Sequence, residues 1–403
     1  MVLATGGDRH NPGMDIQAPE ILVAGGGIAG LAAALALSRQ GADVRLIEQA
    51  AAFSEVGAGI QIGPNVTRIL RNWGLEAQLR RVASFPQELR AHDARSGREL
   101  GRLPLGERSE RLYGAPYACI HRADLHSLLW QAVQERGVPW QLNQRITEVQ
   151  QPDGKLVVHA EGGEVFRPAL LVGADGLWSR SRRALGLEEA PRFSGHLAYR
   201  GLIPLAAPAL QAQVTVWMGP RLHIVHYPVQ SGRALNVVAI VQGDPPANPQ
   251  DWDHAAHAAH LLQCLGPVCA ALQETLAAVP HWRLWALHDR PPLVSAAQMG
   301  HGAVALVGDA AHPMRPYLAQ GAGMAVEDAQ GLAQCWTETG SVAERVQRYA
   351  SQRWQRNARV QARAIRNGDI FHAQGPVAWG RDAAMRLLGA SVMDVPWLYA
   401  GPP

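Results

Sequence analysis

The chain has 403 residues, more than one hydrophobic core usually serves, so at least two structural regions are expected. A hydrophobic fraction of 47% and a charged fraction of 18% fit an ordinary globular protein, and a net charge of +3 is too weak to argue for a nucleic-acid partner. Lys155 is the single lysine and sits in the turn-forming run Asp153-Gly154-Lys155, which excludes chemistry that needs a buried lysine.

Residues 1–19 hold Gly6, Gly7, Pro12, Gly13 and Pro19 and no apolar run, so a flexible tail is expected, not a signal peptide. Glu20 to Ala24 is a short apolar run ending in glycines, the pattern of a buried parallel strand. Ile28 to Gln40 is rich in alanine and leucine and stops at Gly41, a helix with a glycine C-cap. Asp43 to Glu48 is the next strand, completing a βαβ unit. Pro64 can open a helix through Leu70, and Asp124 to Gln134 reads as another. Residues 146–149, 155–160 and 164–167 form a small meander, and Ala169 to Gly173 is again a buried strand.

From about residue 192 the texture changes to short strands near 199–203, 214–217, 222–227 and 234–241, separated by turn residues. Pro245, Pro246 and Pro249 mark a loop, and two helical stretches follow near 254–264 and 267–278. Ala303 to Val307 returns to buried-strand texture, so the chain leaves its first domain and re-enters it. Residues 342–366 read as one long helix, whose row of arginines is expected to be a solvated face. The resulting fold class is α/β: a Rossmann-like domain, a second domain built on an antiparallel sheet, and C-terminal helices. The boundaries are 1–19 for the tail, 20–185 with 290–340 for the first domain, 186–289 for the second, and 341–403 for the helical region.

Gly25-x-Gly27-x-x-Gly30 lies at the strand-to-helix turn of the βαβ unit. Gly25 permits the tight turn, Gly27 lets backbone approach a pyrophosphate, and Gly30 lets helix pack on strand. The first helical N–H groups, around Ile28 and Ala29, then face the phosphates. Glu48, at the end of the next strand, is placed to accept hydrogen bonds from ribose hydroxyls. A second glycine-rich stretch, Gly308-Asp309-Ala-Ala-His312-Pro313 followed by Gln320-Gly321-Ala322-Gly323, suggests a long flavin dinucleotide held at both ends. Asp309 would reach the ribitol, or alternatively serve as a turn cap. His223 and Tyr227 share a strand face with Val225, and either bind substrate or belong to the sheet's packing.

Together these segments resemble the single-component FAD-dependent aromatic hydroxylases. The resemblance spans roughly residues 20 to 400. It rests on the fingerprint, Asp175-Gly176, Gly308-Asp309, Glu55 to Gly59, His121-Arg122 and Tyr199-Arg200-Gly201. Within the family the 3-hydroxybenzoate, 6-hydroxynicotinate and salicylate hydroxylases are similar in pattern. The resemblance implies FAD contacts at Gly59, Arg122, Asp175, Asp309 and Pro313, with backbone N–H groups of Gly321, Ala322 and Gly323 facing the isoalloxazine edge. It also implies NADH or NADPH as a transient reductant, oxygen as co-substrate, and hydroxylation of a phenolic acid through a flavin hydroperoxide. His223 would deprotonate the substrate phenol, with Tyr227 beside it.

Three pocket positions depart from the pattern. Pro316 stands where the hydroxybenzoate enzymes carry glutamine, and Tyr317 and Gln61 stand where the hydroxynicotinate enzymes carry histidines. Alternative functions are a flavin-binding oxidoreductase without oxygen insertion and a non-catalytic flavin-binding module. Cys119, Cys264, Cys269 and Cys335 have neither a disulfide framework nor zinc spacing, so no metal is expected. The expected partner is a small aromatic substrate, with no nucleic acid and no membrane. A cytoplasmic setting and a homodimer complete the expectations.

Overall fold

Ile21–Ala24 forms a central strand of a six-stranded sheet in the computed structural model, which describes residues 20–53, 58–207, 212–244, 254–256 and 258–401. Val44–Ile47 and Leu170–Gly173 flank it in parallel, and Val304–Leu306 continues the parallel run. Trp140–Gln141 closes one edge and the antiparallel Gly300–His301 the other. A parallel strand is covered on both faces, which is why these segments read as unbroken apolar runs. The chain leaves this sheet after Gly173 and returns to it at Gly300, as the texture of residues 303–307 implies. The helix Ile28–Arg39 is buried from Ile28 to Leu37 save for Ala29, because the helix Gly321–Trp336 packs along it. Its alanines keep the two helices close.

The second sheet has eight strands. Their order is His254–Ala256, Trp282–Asp289, Arg192–Pro204, Ala234–Gln242, Leu222–Val229, Gln213–Gly219, Glu88–Asp93 and Glu99–Pro104. All neighbours are antiparallel except Gln213–Gly219 with Glu88–Asp93. The hairpin 88–104 lies inside the 20–185 stretch of sequence yet builds the edge of this sheet. Its strands carry charges, among them Glu88, Arg90, Glu99 and Arg102, so apolar alternation does not reveal them. The helices Ala258–Leu265 and Ala270–Ala277 cover one face, over Tyr199, Trp217, Ile224, Val237 and Ala239. The other face presents His223, Val225 and Tyr227 beside Ile240, Val238 and Asn236 on the next strand.

The long helix runs Val342–Phe371, opened by a Ser341–Glu344 capping box and ending five residues beyond the expected 366. Asn367 and Gly368 continue it, buried against Tyr317: Asn367 Nδ2 donates to the Tyr317 carbonyl at 3.2 Å, and a Cβ on residue 368 would come within 2.9 Å of the Tyr317 ring. The solvated arginine face also needs correction. Arg353 is buried, pairing with Glu327 and Asp328, and Arg356 pairs with Glu327. The helix Gly375–Leu388 and the turns Ala390–Met393 and Pro396–Tyr399 finish the described chain. The expected tail, the loop around Pro245–Pro249 and residues 55–57 of the Glu55–Gly59 motif lie outside the described residues.

Candidate active site

Gly25 follows the first strand with φ +115°, where a Cβ would stand 2.4 Å from the Ala174 carbonyl oxygen. A Cβ on Gly30 would stand 1.8 Å from the Gly25 carbonyl oxygen, so the helix can sit on the turn only with glycine there. Gly27 is the helix N-cap and offers no side chain, which leaves the N–H groups of Ile28, Ala29 and Gly30 without intrahelical acceptors. Glu48 folds across this turn: one oxygen accepts the Gly26 N–H and the other the Ala50 N–H at 2.8 Å.

The second glycine turn meets the first. Gly308 has φ +59°, and a Cβ there would be 2.8 Å from the Ala29 Cβ, so motifs 278 residues apart in sequence (308 − 30) adjoin in space. Asp328 Oδ2 accepts the Gly308 N–H at 3.1 Å and lies 2.5 Å from His312 Nε2. Asp309 is open to solvent, yet much protein surrounds its carboxyl. That crowding raises its carboxyl pKa, with Arg122 and His312 pulling the other way. Arg122 is the first residue of the helix Arg122–Glu135, and its N–H reaches the Ala58 carbonyl at 3.1 Å. Pro313 is buried, its carbonyl held by Gln361.

The helix Gly321–Trp336 begins with no side-chain cap, so the N–H groups of Gly321, Ala322 and Gly323 are left for a ligand. Space at Gly321 is open, whereas Gly323 abuts Gln320 and Val66. Two uncapped helix starts, glycine surfaces with no room for Cβ atoms, and Asp309 between them fit an elongated anionic coenzyme. Asp175 acts differently. Its carboxylate accepts from Ser179 Oγ, Arg180 N, Ser181 N and Ser181 Oγ at 2.6–3.1 Å, shaping the turn that sends Arg182 to the Ala310 and Ala311 carbonyls.

The strand Gly59–Ile62 carries the first domain to the sheet face. Gly59 N–H donates to Asn236 Oδ1 at 2.6 Å, and a Cβ there would lie 2.8 Å from the Tyr227 ring. Gln61 Oε1 accepts from the Tyr117 hydroxyl at 2.7 Å. Tyr227 is buried, and burial raises its phenol pKa, with Arg200 and Gln61 opposing. His223, on the same face, belongs to a different neighbourhood. Its ring is 4.8 Å from Tyr317, 5.5 Å from Phe371 and 5.1 Å from His372. Burial first, then His372 and His196, hold its pKa well below the ordinary histidine value, so it is neutral. Pro316 opens the turn that presents Tyr317, whose hydroxyl is buried with no partner among the described residues.

Sequence reasoning missed His196, Phe371, His372 and Asn236. His196 sits before the strand segment read at 199–203, and Phe371 and His372 follow the point where the helix was expected to end. Beside Ala58, a cleft of about 220 Å³ is lined by Arg200, Leu202, Arg283 and Trp285, with the Arg200 guanidinium 5.0 Å from the Trp285 ring centroid.

This combination of a two-point dinucleotide cradle and a covering sheet with a neutral histidine defines a flavin-dependent oxidoreductase. The chain matches the FAD binding domain family over residues 19–364. It is 36% identical over 361 residues to the 3-hydroxybenzoate 6-hydroxylase of Polaromonas naphthalenivorans, 88% of either chain. It is also 36% identical over 353 residues to the 6-hydroxynicotinate 3-monooxygenase of Bordetella bronchiseptica, covering 85% of this chain and 90% of the other. A solved salicylate hydroxylase substrate complex superposes with a TM-score of 0.79 at 25% identity, over 96% of this chain and 98% of that one. The chain belongs to the FAD binding domain family and is an FAD-dependent monooxygenase of the aromatic hydroxylase class, using NAD(P)H and molecular oxygen.

Proposed function

We propose that this enzyme hydroxylates the ring of a phenolic aromatic acid, with His223 as the group that takes the phenolic proton. The observation that carries the reading is the placement of His223: buried, neutral, and making no hydrogen bond through Nε2 to any described residue. A bare imidazole nitrogen is a proton acceptor, and removing a phenolic proton enriches the ring in electrons. FAD, when bound, supplies the redox and oxygen chemistry. The protein's part is to hold it, exclude water and move the proton. Tyr317 and Phe371 shield the histidine, and Tyr227, Gln61 and Pro316 belong to the same proposed pocket. The arginines and tryptophan of the cleft beside Ala58 have the chemistry to steer an aromatic carboxylate.

Gly25, Gly27, Ile28, Ala29, Gly30 and Glu48 are proposed for the adenosine diphosphate end of FAD. Gly59, Arg122, Asp309, Pro313, Gly321, Ala322 and Gly323 are proposed for the flavin end, and Asp175 for shaping the turn between them. In this division residues 20–185 and 290–340 bind FAD and 186–289 cover the substrate, with the hairpin 88–104 joining the covering sheet and 341–403 bracing both. A cytoplasmic homodimer completes the proposal. The four free cysteines agree with a reducing compartment, and among the described residues no helix is long and apolar enough to cross a membrane.

A panel of 3-hydroxybenzoate, salicylate, 6-hydroxynicotinate and bicyclic phenolic acids tests the substrate class. One compound should accelerate NAD(P)H oxidation and gain one oxygen atom by mass. NAD(P)H oxidation without oxygenated product across the panel would remove the reading. Asp309→Ala should weaken FAD about 10- to 100-fold through loss of hydrogen bonds to the ribitol. Flavin content after gel filtration checks it, and full occupancy would show that Asp309 only caps its turn.

A further inference from the structure

The C-terminus of the long helix delivers to the candidate site a side chain that no motif announces. His372 caps the helix, its N–H on the Gly368 carbonyl at 3.1 Å. Its own carbonyl accepts the N–H of Arg221, the residue just before the strand that carries His223. The two backbones are therefore pinned where the two rings meet. Nε2 of His372 lies 2.9 Å from Nδ1 of His223, with the rings 5% and 3% exposed.

Two imidazole nitrogens at that distance share one hydrogen, because two lone pairs or two N–H groups would repel. The shared hydrogen couples the tautomers of the rings. With it on His223 Nδ1, His223 Nε2 is bare and can accept a proton. With it on His372 Nε2, His223 Nε2 carries hydrogen and cannot. Among the described residues, His372 Nδ1 and the Tyr317 hydroxyl are buried with no hydrogen-bond partner. The rings of His196, Tyr317 and His372 pack together, with centroids 5.0–5.8 Å apart, so these polar atoms belong to one buried cluster.

We propose that His372 is a positioning residue for His223, holding it in the Nδ1–H tautomer by accepting that hydrogen bond, so that His223 Nε2 stays bare toward the substrate. This rests on the reading of His223 given above. The balance is simple. The substrate O–H bond breaks and a bond from His223 Nε2 to hydrogen forms. The phenol becomes phenolate and His223 becomes imidazolium, its Nδ1–H donated to His372 Nε2.

The groups facing the pair set its pH behaviour. His196 and Tyr317 lie against the rings; Arg315 and Arg381 bring positive charge; Asp369 and Asp289 bring negative charge around His196. Burial, then His196 and the two arginines, push His372 down to about 3. Both rings therefore start neutral at working pH.

The test uses the FAD-loaded enzyme and the variants His372→Ala and His372→Gln. Nitrogen-15 histidine spectra, with His223 assigned by its loss in His223→Gln, should show the neutral Nδ1–H form in the wild type. His372→Ala should shift His223 toward the other tautomer. His372→Gln should keep it, because the amide oxygen accepts the same hydrogen. An unchanged tautomer in His372→Ala would overturn the proposal.

With 3-hydroxybenzoate, salicylate and 6-hydroxynicotinate as probes, His372→Ala should lower product formation about tenfold and leave flavin reduction within about twofold. Its acid limb should move to higher pH. Water admitted by the deletion raises the His223 pKa, and a protonated His223 cannot accept a proton. A loss that is uniform across pH would mark His372 as merely structural and overturn the proposal. If the wild type hydroxylates no probe, the proposed function fails, and the tautomer spectra alone still decide the pairing.

Discussion

Arg353→Met should destabilise the protein by about 3 kcal/mol and loosen its hold on FAD as well. Arg353 is 3% exposed, donating to Asp328 Oδ1 at 3.0 Å and to Glu327 Oε2 at 2.9 Å. Methionine matches its bulk but leaves two buried carboxylates short of a cation, and an uncompensated buried charge costs far more than a surface pair. Arg356 still serves Glu327, and His312 and Asn357 still serve Asp328, which keeps the loss at the lower end of the range. The coupling to FAD comes through Asp328, whose other oxygen holds the Gly308 N–H at the second glycine turn. Urea unfolding and flavin retention should move together in Arg353→Met. Arg366→Met, on the same helix but exposed, should stay within about 0.5 kcal/mol. Equal effects of the two would show that the buried network contributes nothing.

The same network predicts an acid limit. Burial by itself would raise the Asp328 pKa, but His312, Arg353 and Asn357 outweigh it and bring it down to about 2. A carboxylate whose folded pKa lies below its unfolded value contributes stability above the unfolded value, and that contribution fades as pH falls from about 4 toward 2.

What could be read in the sequence follows from how locally each feature is encoded. The fingerprint at Gly25–Gly30 was legible because its glycines answer to steric demands within a single turn. Buried parallel strands were legible because both faces are apolar. The hairpin 88–104 was not, since its charged strands gain their partners only in the folded sheet. Nor was the role of Arg353, because a helix of alternating arginines looks solvated until Glu327 and Asp328 arrive from another helix. His223 could be picked by its strand face, but His372 is brought to it across 149 residues of chain by the end of a helix that sequence rules stop too soon. Gly368, just past the expected end, admits the Tyr317 ring without ending the helix.

His223→Ala should lower hydroxylation about 10²- to 10⁴-fold while leaving flavin reduction by NAD(P)H near its wild-type rate. The split follows from where the side chain stands. His223, on the covering sheet, touches Tyr317, Phe371 and His372, whereas the glycine turns proposed for FAD lie at the six-stranded sheet and lose no contact. Reducing equivalents would still be consumed, so oxygen uptake should outrun product. Because the histidine is neutral in the fold, its pKa held down chiefly by burial, the wild type should keep its activity at mildly acidic pH, where an ordinary histidine would already be protonated. His223→Gln, which fills the space but cannot take a proton, should behave as the alanine variant does in product yield while retaining the fold. If glutamine restored hydroxylation, packing and not proton transfer would be what this position provides.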